Sequence, residues 1–345
     1  MDKVILRYSY LKSNDPFTNL AIENEILINI PKNTIHLLFW INSPSVVMGR
    51  FQNPFLECKL ADLAADNVQL VRRQSGGGCV YHDEGNLNYS FVCSKELHNK
   101  DNNHAIIVEA LKNLDIMAYS TKRVDLLFDD KDGPKKFSGS AFKEKKNSAL
   151  HHGTLLLKSD LDKLNYYLNP KESKIKSVSI PSVRSVVVNL SEINPKISAE
   201  VIIDKIVSSF ESFYKSSCKK MDSHQFDLSY LSELKSKKWV LGETPKFSLS
   251  DGFVVNKVQT NIFIEIKKLH ITSFNAENSE VHPSLLKELE SILVGVDILD
   301  EAELFKIIKA FGLNFPMYGE FIEHLESWLK TQFNGLHMLS NRQLS

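Results

Sequence analysis

Length, composition and charge indicate a globular protein and exclude several functional classes. The 345 residues are 43% hydrophobic and 24% charged, which suits a sizeable core and favours two domains over one. Lysine plus arginine and aspartate plus glutamate each total 42, so no broad positive field exists to attract nucleic acid or an anionic membrane. No apolar stretch approaches the roughly 20 residues of a membrane-spanning helix.

The cysteine pattern and the N-terminus predict the compartment. The four cysteines are widely separated and form no CxxC pair or metal-finger spacing, so we expect reduced thiols. The N-terminus lacks the apolar core of a signal peptide and the pattern of a transit peptide. We expect a cytoplasmic protein, with the mitochondrial matrix as the alternative if a presequence precedes this sequence. No long apolar stripe or heptad run indicates a partner, so a monomer is expected.

The N-terminal part of the chain is predicted to mix strands with single helices. Asp15 and Pro16 offer an N-cap and an N1 proline for a helix that runs to about Ile30. Further helices are predicted at residues 60–67, around 105–114 and at 198–213. Strands are predicted at residues 4–10, 35–41, 45–50, 68–73, 87–94, 123–130, 135–143 and 151–158. This order favours an α+β fold over a doubly wound sheet.

The C-terminal part changes in character after a polar segment. Residues 215–238 are charged and mostly polar, which predicts a linker or domain boundary there. Beyond it, residues 253–259, 262–268 and 270–274 predict a short antiparallel meander. Helices are predicted to start near His282, Asp300 and Phe315. We therefore predict a catalytic domain at residues 1–234 and a small α/β domain at residues 235–345.

A run of three glycines is the first candidate binding feature. Gly76, Gly77 and Gly78 follow one predicted strand and precede another, so their N–H groups can approach an anion without obstruction by Cβ atoms. Arg72 and Arg73 stand beside them and could clamp a phosphate or carboxylate. The alternative is a flexible connection with solvated arginines. Neither the P-loop pattern nor GxGxxG is present, so the common nucleotide motifs are excluded.

A lysine close to small residues is the second candidate. Lys136 precedes Ser138, Gly139 and Ser140, where room for a bulky ligand is expected, and an ammonium there could stabilise charge on a phosphoryl or acyl oxygen. The alternative is a surface lysine in a basic run. The SxxK pattern that ends at Lys143 lacks the partner motifs of acyl-serine enzymes.

Two polar positions beside these motifs have structural alternatives. His151 and His152 begin a predicted strand, so at most one of them can point into a pocket, and their spacing is a poor metal site. The polar residues that follow the glycines, His82, Asp83 and Asn86, are also explained by turn formation.

Together, three segments resemble the lipoate-protein ligase family in order and spacing. They are RRQSGGGCVYHDEGN, KKFSGSAFK and HHGTLLL, and residues 39–58 and 180–192 also look like that family. The resemblance covers roughly the first 210 residues, and the remainder is matched mainly by KKWVLGETPKFS.

The resemblance implies a large mixed-sheet α+β catalytic domain, shared in architecture with biotin ligases, and a small C-terminal α/β domain. It implies that ATP with Mg²⁺ activates lipoate as lipoyl-AMP. It also implies transfer to a lysine of lipoyl carrier domains, namely acyltransferase subunits of 2-oxoacid dehydrogenases and the glycine cleavage H protein. Mg²⁺ is expected to arrive with ATP rather than through a protein metal motif.

The resemblance also implies the site residues. Lys136 is predicted to be catalytic, and the uncharged tail of lipoate needs an apolar slot, which Phe17 or the strand at residues 46–48 could supply. The predicted ATP and lipoyl-AMP contacts are Arg73, Ser75, Gly76, Gly77, Gly78, Cys79, Val80, Tyr81 and Lys136, and further candidates are His82, Asp83, Asn86, Asp125, Ser138 and His152.

One departure from the family and several alternatives stay open at this point. Cys79 stands where the family usually has alanine, and we interpret it as a small packing residue. The alternatives are a lipoyltransferase that uses only preformed lipoyl-AMP and a non-catalytic module that docks lipoyl domains. An octanoyltransferase would need Cys218 as its nucleophile, and a biotin ligase would need a different glycine loop, so neither is favoured.

Overall fold

The computed structural model describes residues 3–122, 124–170, 174–222 and 226–343. These residues form two compact units. The first contains the described residues of Met1–Arg50, Val71–Tyr166 and Ser182–Leu234. The second contains those of Phe51–Leu70, Tyr167–Pro181 and Lys235–Ser345.

Strands and helices are numbered in chain order. The strands are β1 Ile5–Tyr10, β2 Thr34–Ile41, β3 Ser45–Met48, β4 Gln69–Arg72, β5 Val80–His82, β6 Asn86–Ser94, β7 Ala118–Ser120, β8 Leu126–Asp130, β9 Gly133–Ser138, β10 Ser140–Glu144, β11 Ser148–Leu156, β12 Ile175–Ser177, β13 Cys218–Lys220, β14 Phe247–Val255, β15 Val258–Lys267 and β16 His270–Glu277. The helices are α1 Pro16–Asn29, α2 Pro54–Glu57, α3 Leu60–Ala65, α4 Lys100–Lys112, α5 Leu161–Tyr167, α6 Leu190–Ile193, α7 Ala199–Tyr214, α8 Leu231–Lys235, α9 Lys237–Val240, α10 Pro283–Leu293, α11 Glu301–Asn314 and α12 Gly319–Gln343. Short 3-10 turns lie at Lys95–Leu97 and Pro316–Tyr318.

The first unit is organised around one sheet, called the main sheet, with strand order β10-β11-β6-β2-β1-β13. Its pairs are parallel at β13-β1 and β1-β2 and antiparallel at β2-β6, β6-β11 and β11-β10. This mixture agrees with the predicted α+β class. Helix α1 begins as predicted, because the side chain of Asp15 accepts hydrogen bonds from Phe17 N and Thr18 N and Pro16 occupies N1.

Helices cover both faces of the main sheet and therefore bury both. On one face, α1 packs its apolar residues, among them Ile22 and Leu27, with Val92 and Leu150 of the sheet. On the other face, α4 and α7 pack against each other, and Phe210 of α7 meets Phe91 of β6 with ring centroids 5.9 Å apart. Because side chains alternate along a strand, consecutive residues of β6 and β11 enter different cores. We call these the α1 face and the α4/α7 face.

Two smaller sheets in the first unit carry the segments singled out in the sequence. Strands β4, β3 and β5 pair in that order, and the glycine loop connects β4 to β5. Strands β7, β8 and β9 pair in that order, and β9 carries Lys136. The predicted strand 135–143 is thus two strands, separated at Gly139, and Arg123 of the predicted strand 123–130 lies outside the described residues.

The second unit pairs β12, β14, β15 and β16 in that order, antiparallel throughout, with helices α10, α11 and α12 after it. Alternating residues of β15, Ile262, Ile264 and Ile266, are buried. Helix α12 lies close against α3, because a Cβ at Gly335 would stand only 2.6 Å from the backbone nitrogen of Ala61. Among the described residues, every helix is too short or too polar to traverse a lipid bilayer.

The division of the chain differs in part from the predicted bounds. The last break falls between Leu234 and Lys235, but the second unit also takes residues 51–70 and 167–181, which the prediction assigned to the catalytic domain. The reason is tertiary pairing: β12 joins β14, and α3 packs against α12.

The predicted linker at residues 215–238 is wrong for its first part. Residues Cys218–Lys220 form the edge strand β13, where Cys218 pairs in parallel with Leu6. An edge strand is half solvated, so its polar sequence does not distinguish it from a linker. The linker prediction also includes residues 223–225, which lie outside the described residues. The predicted third C-terminal helix begins at Gly319, after a 3-10 turn at Pro316–Tyr318.

Candidate active site

The glycine loop, residues 73–79 between β4 and β5, packs against the backbone of Gly49 and Arg50. Gly77 has φ +87°, a left-handed conformation that favours glycine. A Cβ at Gly49 would clash with the carbonyl of Gly77, so the two backbones touch. Arg50 N donates to the carbonyl of Ser75 at 2.9 Å. Within the described residues, the N–H groups of the three loop glycines at positions 76–78 donate to no protein acceptor, which leaves them available to a ligand.

Arg73 holds this loop in shape from inside the protein. Its Nη2 donates to the carbonyls of Gly76 at 2.7 Å and Gly78 at 2.6 Å, and its Nη1 donates to Val47 at 2.9 Å. Its Nε donates to Ser75 Oγ at 3.0 Å. Burial lowers the pKa of Arg73 to about 10, so the guanidinium remains charged at neutral pH. A buried charge thus stands directly behind the loop, with most of its donors committed to the loop itself.

Ser75 is also bonded to a histidine and, through it, to a glutamate. Ser75 Oγ lies 2.7 Å from His152 Nε2, and His152 Nδ1 lies 2.9 Å from Glu23 Oε1. All three side chains are buried, and the hydroxyl of Ser90 donates to the same Glu23 oxygen. Glu23 comes from the middle of α1 and points into the α1 face. Glu23 was not predicted as a site residue, because Asn24 and Glu25 follow it and the sequence does not distinguish it from a solvated helix position.

His82 forms a second buried polar chain. Asn42 Nδ2 lies 2.9 Å from His82 Nδ1, and Asn19 Nδ2 donates to Asn42 Oδ1 at 2.9 Å. Burial lowers the pKa of His82 to about 3, and the charges of Arg73 and His152 act in the same direction. His82 is therefore neutral, and within the described residues its Nε2 has no hydrogen-bond partner.

The side chain of Lys136 is bonded to a carboxylate, and its backbone is bonded to residues 186 and 188. Its Nζ lies 2.8 Å from Asp125 Oδ1, and both side chains are about one-fifth exposed, at 22% and 23%. The backbone of Lys136 accepts from Val188 N at 3.0 Å and donates to Val186 O at 2.9 Å. A Cβ at Gly139 would come within 3.2 Å of the ammonium, so the missing side chain leaves space for Lys136 itself, and room for a bulky ligand stays a prediction.

The segment that supports Lys136 also reaches the glycine loop. Ser182 Oγ accepts a hydrogen bond from Cys79 N at 2.8 Å, and a Cβ at Gly78 would stand 3.1 Å from the same oxygen. Residues of the 180–192 stretch therefore contact both motifs that the sequence analysis treated separately. Cys79 itself is buried, in agreement with a packing residue.

The remaining predicted residues divide into those in strands and those in turns. Val80 and Tyr81 lie in β5 opposite Val47 and Val46, so the predicted apolar strand is adjacent to the loop. Asp83 shapes the turn, since its carboxylate accepts from Gly85 N at 2.9 Å and from Asp160 N at 2.7 Å. Of the other predicted residues, Asn86 begins β6, Ser138 ends β9, and both are buried, as is Phe17 of α1.

One further lysine near the loop was not predicted as a site residue. Lys143 of β10 donates to the side chain of Gln74, the residue before Ser75. Burial lowers the pKa of Lys143 to about 8, helped by Lys145 and Arg50. The sequence alone does not show that this lysine is partly neutral, because it stands in a run of basic residues.

The metal and cysteine alternatives receive no support from the geometry. The described residues contain no group of three or more histidine, cysteine, aspartate or glutamate side chains that could hold a metal ion. Cys218 stands on β13, at the opposite edge of the main sheet from β10. Burial raises the pKa of the Cys218 thiol to about 12, which disfavours the thiolate that a nucleophile requires.

Comparison with known proteins identifies the class to which this chain belongs. The sequence profile of the lipoyl protein ligase A/B catalytic domain matches residues 15–211. A lipoate-protein ligase A of Bdellovibrio bacteriovorus is 42% identical over 290 residues, which covers 82% of this chain and 86% of that protein. A lipoate-protein ligase A of Blochmanniella floridana is 32% identical over 338 residues, which covers 94% and 98%.

A solved structure agrees with these relatives. The crystal structure of P. falciparum LipL1 in complex with lipoate has a TM-score of 0.62 and 27% identity, and covers 94% of this chain and 99% of that one. The chain therefore belongs to the lipoate-protein ligase family and is an enzyme of the ligase class.

Proposed function

We propose that this enzyme joins free lipoate to a lysine of lipoyl carrier domains, with ATP as the energy source and lipoyl-AMP as the intermediate. The observation that carries the proposal is the glycine loop with free N–H groups and a buried arginine behind it, in the same compact unit as the Lys136 ammonium. A loop of this kind binds an anion, and a fixed ammonium stabilises charge that develops during the reaction.

In the first half-reaction, a carboxylate oxygen of lipoate attacks the α-phosphorus of ATP. The bond to the pyrophosphate leaving group breaks, and lipoyl-AMP remains. Negative charge grows on the phosphoryl oxygens, and the N–H groups of Gly76, Gly77 and Gly78 together with Lys136 are the donors that would stabilise it. Arg73 keeps those N–H groups in position through its bonds to the loop carbonyls.

In the second half-reaction, the neutral amine of an acceptor lysine attacks the acyl carbon of lipoyl-AMP. AMP leaves, the amine loses a proton, and an amide is formed. The same ammonium of Lys136, held 2.8 Å from Asp125, is expected to stabilise the oxyanion of the tetrahedral centre. The expected acceptors are acyltransferase subunits of 2-oxoacid dehydrogenases and the glycine cleavage H protein.

Several further assignments belong to this proposal. Mg²⁺ would arrive with ATP and neutralise the triphosphate, and Asp125 would hold the ammonium of Lys136 in the site. Val80, Tyr81, Ser75 and Cys79 would contact the adenylate, and His82, Asp83, Asn86, Ser138 and His152 would support the site. Residues 1–234 would bind lipoate and ATP, residues 235–345 would form the accessory domain, and the enzyme would act as a cytoplasmic monomer.

Lipoate-dependent exchange of pyrophosphate into ATP, measured without acceptor, tests the proposal. Lys136→Ala is expected to lower the exchange rate by about 10²–10³-fold, because it removes a donor to the developing charge. Lys135→Ala is the matched control, since Lys135 is the preceding residue of the same strand and pairs with Asp130 at 2.6 Å. It is expected to leave the rate unchanged.

The outcome of this assay separates the alternatives. Transfer from synthetic lipoyl-AMP without any exchange would overturn the ATP-dependent reaction and favour a lipoyltransferase. Exchange driven by biotin as strongly as by lipoate would overturn the substrate. An equal effect of Lys135→Ala and Lys136→Ala would remove Lys136 from the reaction.

A further inference from the structure

Ser75, His152 and Glu23 have the geometry of a nucleophile, its base and an orienting carboxylate. Ser75 Oγ lies 2.7 Å from His152 Nε2, and the opposite ring nitrogen lies 2.9 Å from Glu23 Oε1. The three residues come from the glycine loop, β11 and α1, and 129 positions separate Glu23 from His152. Such a site is recognised by distances and roles, not by sequence order.

The neighbouring bonds determine which nitrogen carries the proton. Glu23 Oε1 accepts from Ser90, so it acts as an acceptor, and Nδ1 of His152 is expected to donate to it. The Nε2 lone pair is then free to accept from Ser75. Arg73 Nε donates to Ser75 Oγ at 3.0 Å. In the described part of the chain, two acceptors lie within reach of the Ser75 hydroxyl proton, and His152 Nε2 at 2.7 Å is nearer than the carbonyl of Gly76 at 3.5 Å, so the proton is expected to point toward His152. This is the arrangement that a general base requires.

The surroundings of Ser75 also suit a negative charge on oxygen. Gly76 follows Ser75 directly, and in acyl-serine enzymes the N–H of the residue after the nucleophile contributes to the oxyanion hole. Within the described residues, the N–H groups of Gly76 and Gly77 have no protein acceptor. The guanidinium of Arg73 lies behind the same atoms. A Cβ at Gly76 would meet nothing within 4 Å, so open space lies beside the loop at the residue that follows Ser75.

Ser140, a second serine in the same unit, also lies next to histidines and allows a comparison with Ser75. Ser140 Oγ lies 3.1 Å from His151 Nε2 and 3.3 Å from His104 Nε2. The other nitrogens of those rings lie near Asn103 and Ser120, which are neutral. Among the described residues, no hydrogen bond joins those two rings to a carboxylate or Ser140 to a guanidinium, so Ser140 is a natural internal control.

We propose that Ser75, His152 and Glu23 form an acyl-serine site that accepts activated carboxylic acyl groups, such as esters and thioesters, and hydrolyses them. Ser75 Oγ attacks the acyl carbon while His152 takes its proton, and the bond to the leaving group breaks as His152 returns that proton to it. Water, deprotonated by His152, then attacks the acyl carbon of the acyl-serine. The bond between that carbon and Ser75 Oγ breaks, His152 returns the proton to Oγ, and the free acid leaves. This activity goes beyond ligation, since it requires neither ATP nor an acceptor domain.

An alkyl fluorophosphonate tests the proposal, because it forms a stable adduct with an activated serine. The full-length protein is incubated with the probe without ATP or lipoate, and the adduct is counted by intact mass and located by peptide mapping. A single adduct on Ser75 is expected. His152→Gln and Glu23→Gln are expected to slow its formation by about 100-fold, the scale of a lost general base, while Ser140→Ala leaves it unchanged. Hydrolysis of p-nitrophenyl octanoate should follow the same order.

The peptide map of the labelled wild-type protein can overturn the proposal by itself, so the test does not depend on whether the variants fold. Absence of an adduct on Ser75, or an adduct formed as fast in His152→Gln as in the wild type, overturns the acyl-serine site. Lipoate-dependent pyrophosphate exchange is measured on the same preparation. Exchange without labelling therefore rejects this inference alone, and labelling without exchange rejects the ligase proposal alone.

Discussion

His151 and His152 are adjacent on β11, yet the structure gives them opposite surroundings. His152 points to the α1 face, where Glu23 and Ser75 bond its two nitrogens and Arg73 stands behind. His151 points to the α4/α7 face and stacks on Phe142, with ring centroids 4.5 Å apart. The prediction that only one of them could face the site holds, because strand residues alternate.

The difference between the two faces is one of charge. On the α1 face, the Glu23 carboxylate bonds one nitrogen of the imidazole, and the Ser75 hydroxyl, itself bonded to Arg73, contacts the other. On the α4/α7 face, burial among aromatic rings, with His104 at 4.8 Å between ring centroids, lowers the pKa of His151 well below its usual value. That histidine is a neutral packing residue. The two adjacent histidines therefore differ in role because their neighbouring residues differ.

The largest expected difference between the two histidines is in catalysis. His152→Gln is expected to lower lipoate-dependent pyrophosphate exchange by about 100-fold, because Ser75 and the loop shift when their support is lost. His151→Gln is expected to change the rate by less than about threefold, since His151 does not touch the loop. Steady-state exchange assays on both variants measure this. Similar losses in both would show that the two faces are not functionally distinct.

The second difference is in stability. His151→Ala is expected to lower the free energy of unfolding by about 2–4 kcal/mol, because it opens a cavity between Phe142 and Phe91. Urea denaturation followed by tryptophan fluorescence provides the value. His151→Phe, which refills the cavity but loses the bonds to Asn103 and Ser140, serves as the comparison. A cost below about 1 kcal/mol for His151→Ala would contradict the packing role.

The next prediction concerns two other buried histidines, His82 and His36, and how they make the free energy of unfolding depend on pH. Burial holds the pKa of His82 at about 3 and that of His36 at about 4, whereas the unfolded chain binds protons near 6.5. A depressed pKa means that the unfolded state takes up protons first, so stability is greatest above pH 6.5 and falls as the pH decreases toward 4. Each such histidine contributes a slope of about 1.4 kcal/mol per pH unit.

This slope is measurable with one variant. His82→Gln is expected to remove about 1.4 kcal/mol per pH unit between pH 6 and 4.5 from the slope of unfolding free energy, measured in urea at several pH values. Between pH 7 and 8 the slopes of variant and wild type should agree. An unchanged slope at low pH would mean that His82 is protonated in the folded protein.

The smallest expected effect comes from making the two faces alike. Asn103 lies 3.2 Å from His151 Nδ1, the position that Glu23 holds next to His152. Asn103→Asp places a carboxylate there and is expected to raise the pKa of His151, because a nearby negative charge favours the protonated ring. The imidazole resonances in an NMR pH titration report this shift. If the titration does not move, burial alone governs that face.

The sequence predicted the local parts of this molecule well. The start of α1 followed from Asp15 and Pro16, and the resemblance that rested on the glycine loop, Lys136 and the HHGTLLL strand is confirmed at the level of the family. These signals succeed because capping, alternation and glycine conformations are decided by neighbouring residues. Edge strand β13 was predicted as linker, because its few polar residues acquire structure only by pairing with β1.

The sequence by itself determined the family, the α+β class and the segments that carry the site. Only the tertiary structure decided that Glu23 stands behind His152, that Ser182 reaches the loop, and that residues 51–70 and 167–181 join the second unit. The physical reason is distance along the chain. These contacts join residues that are far apart in sequence. Only the packing of α1, β11 and the smaller sheets brings such residues to hydrogen-bonding distance.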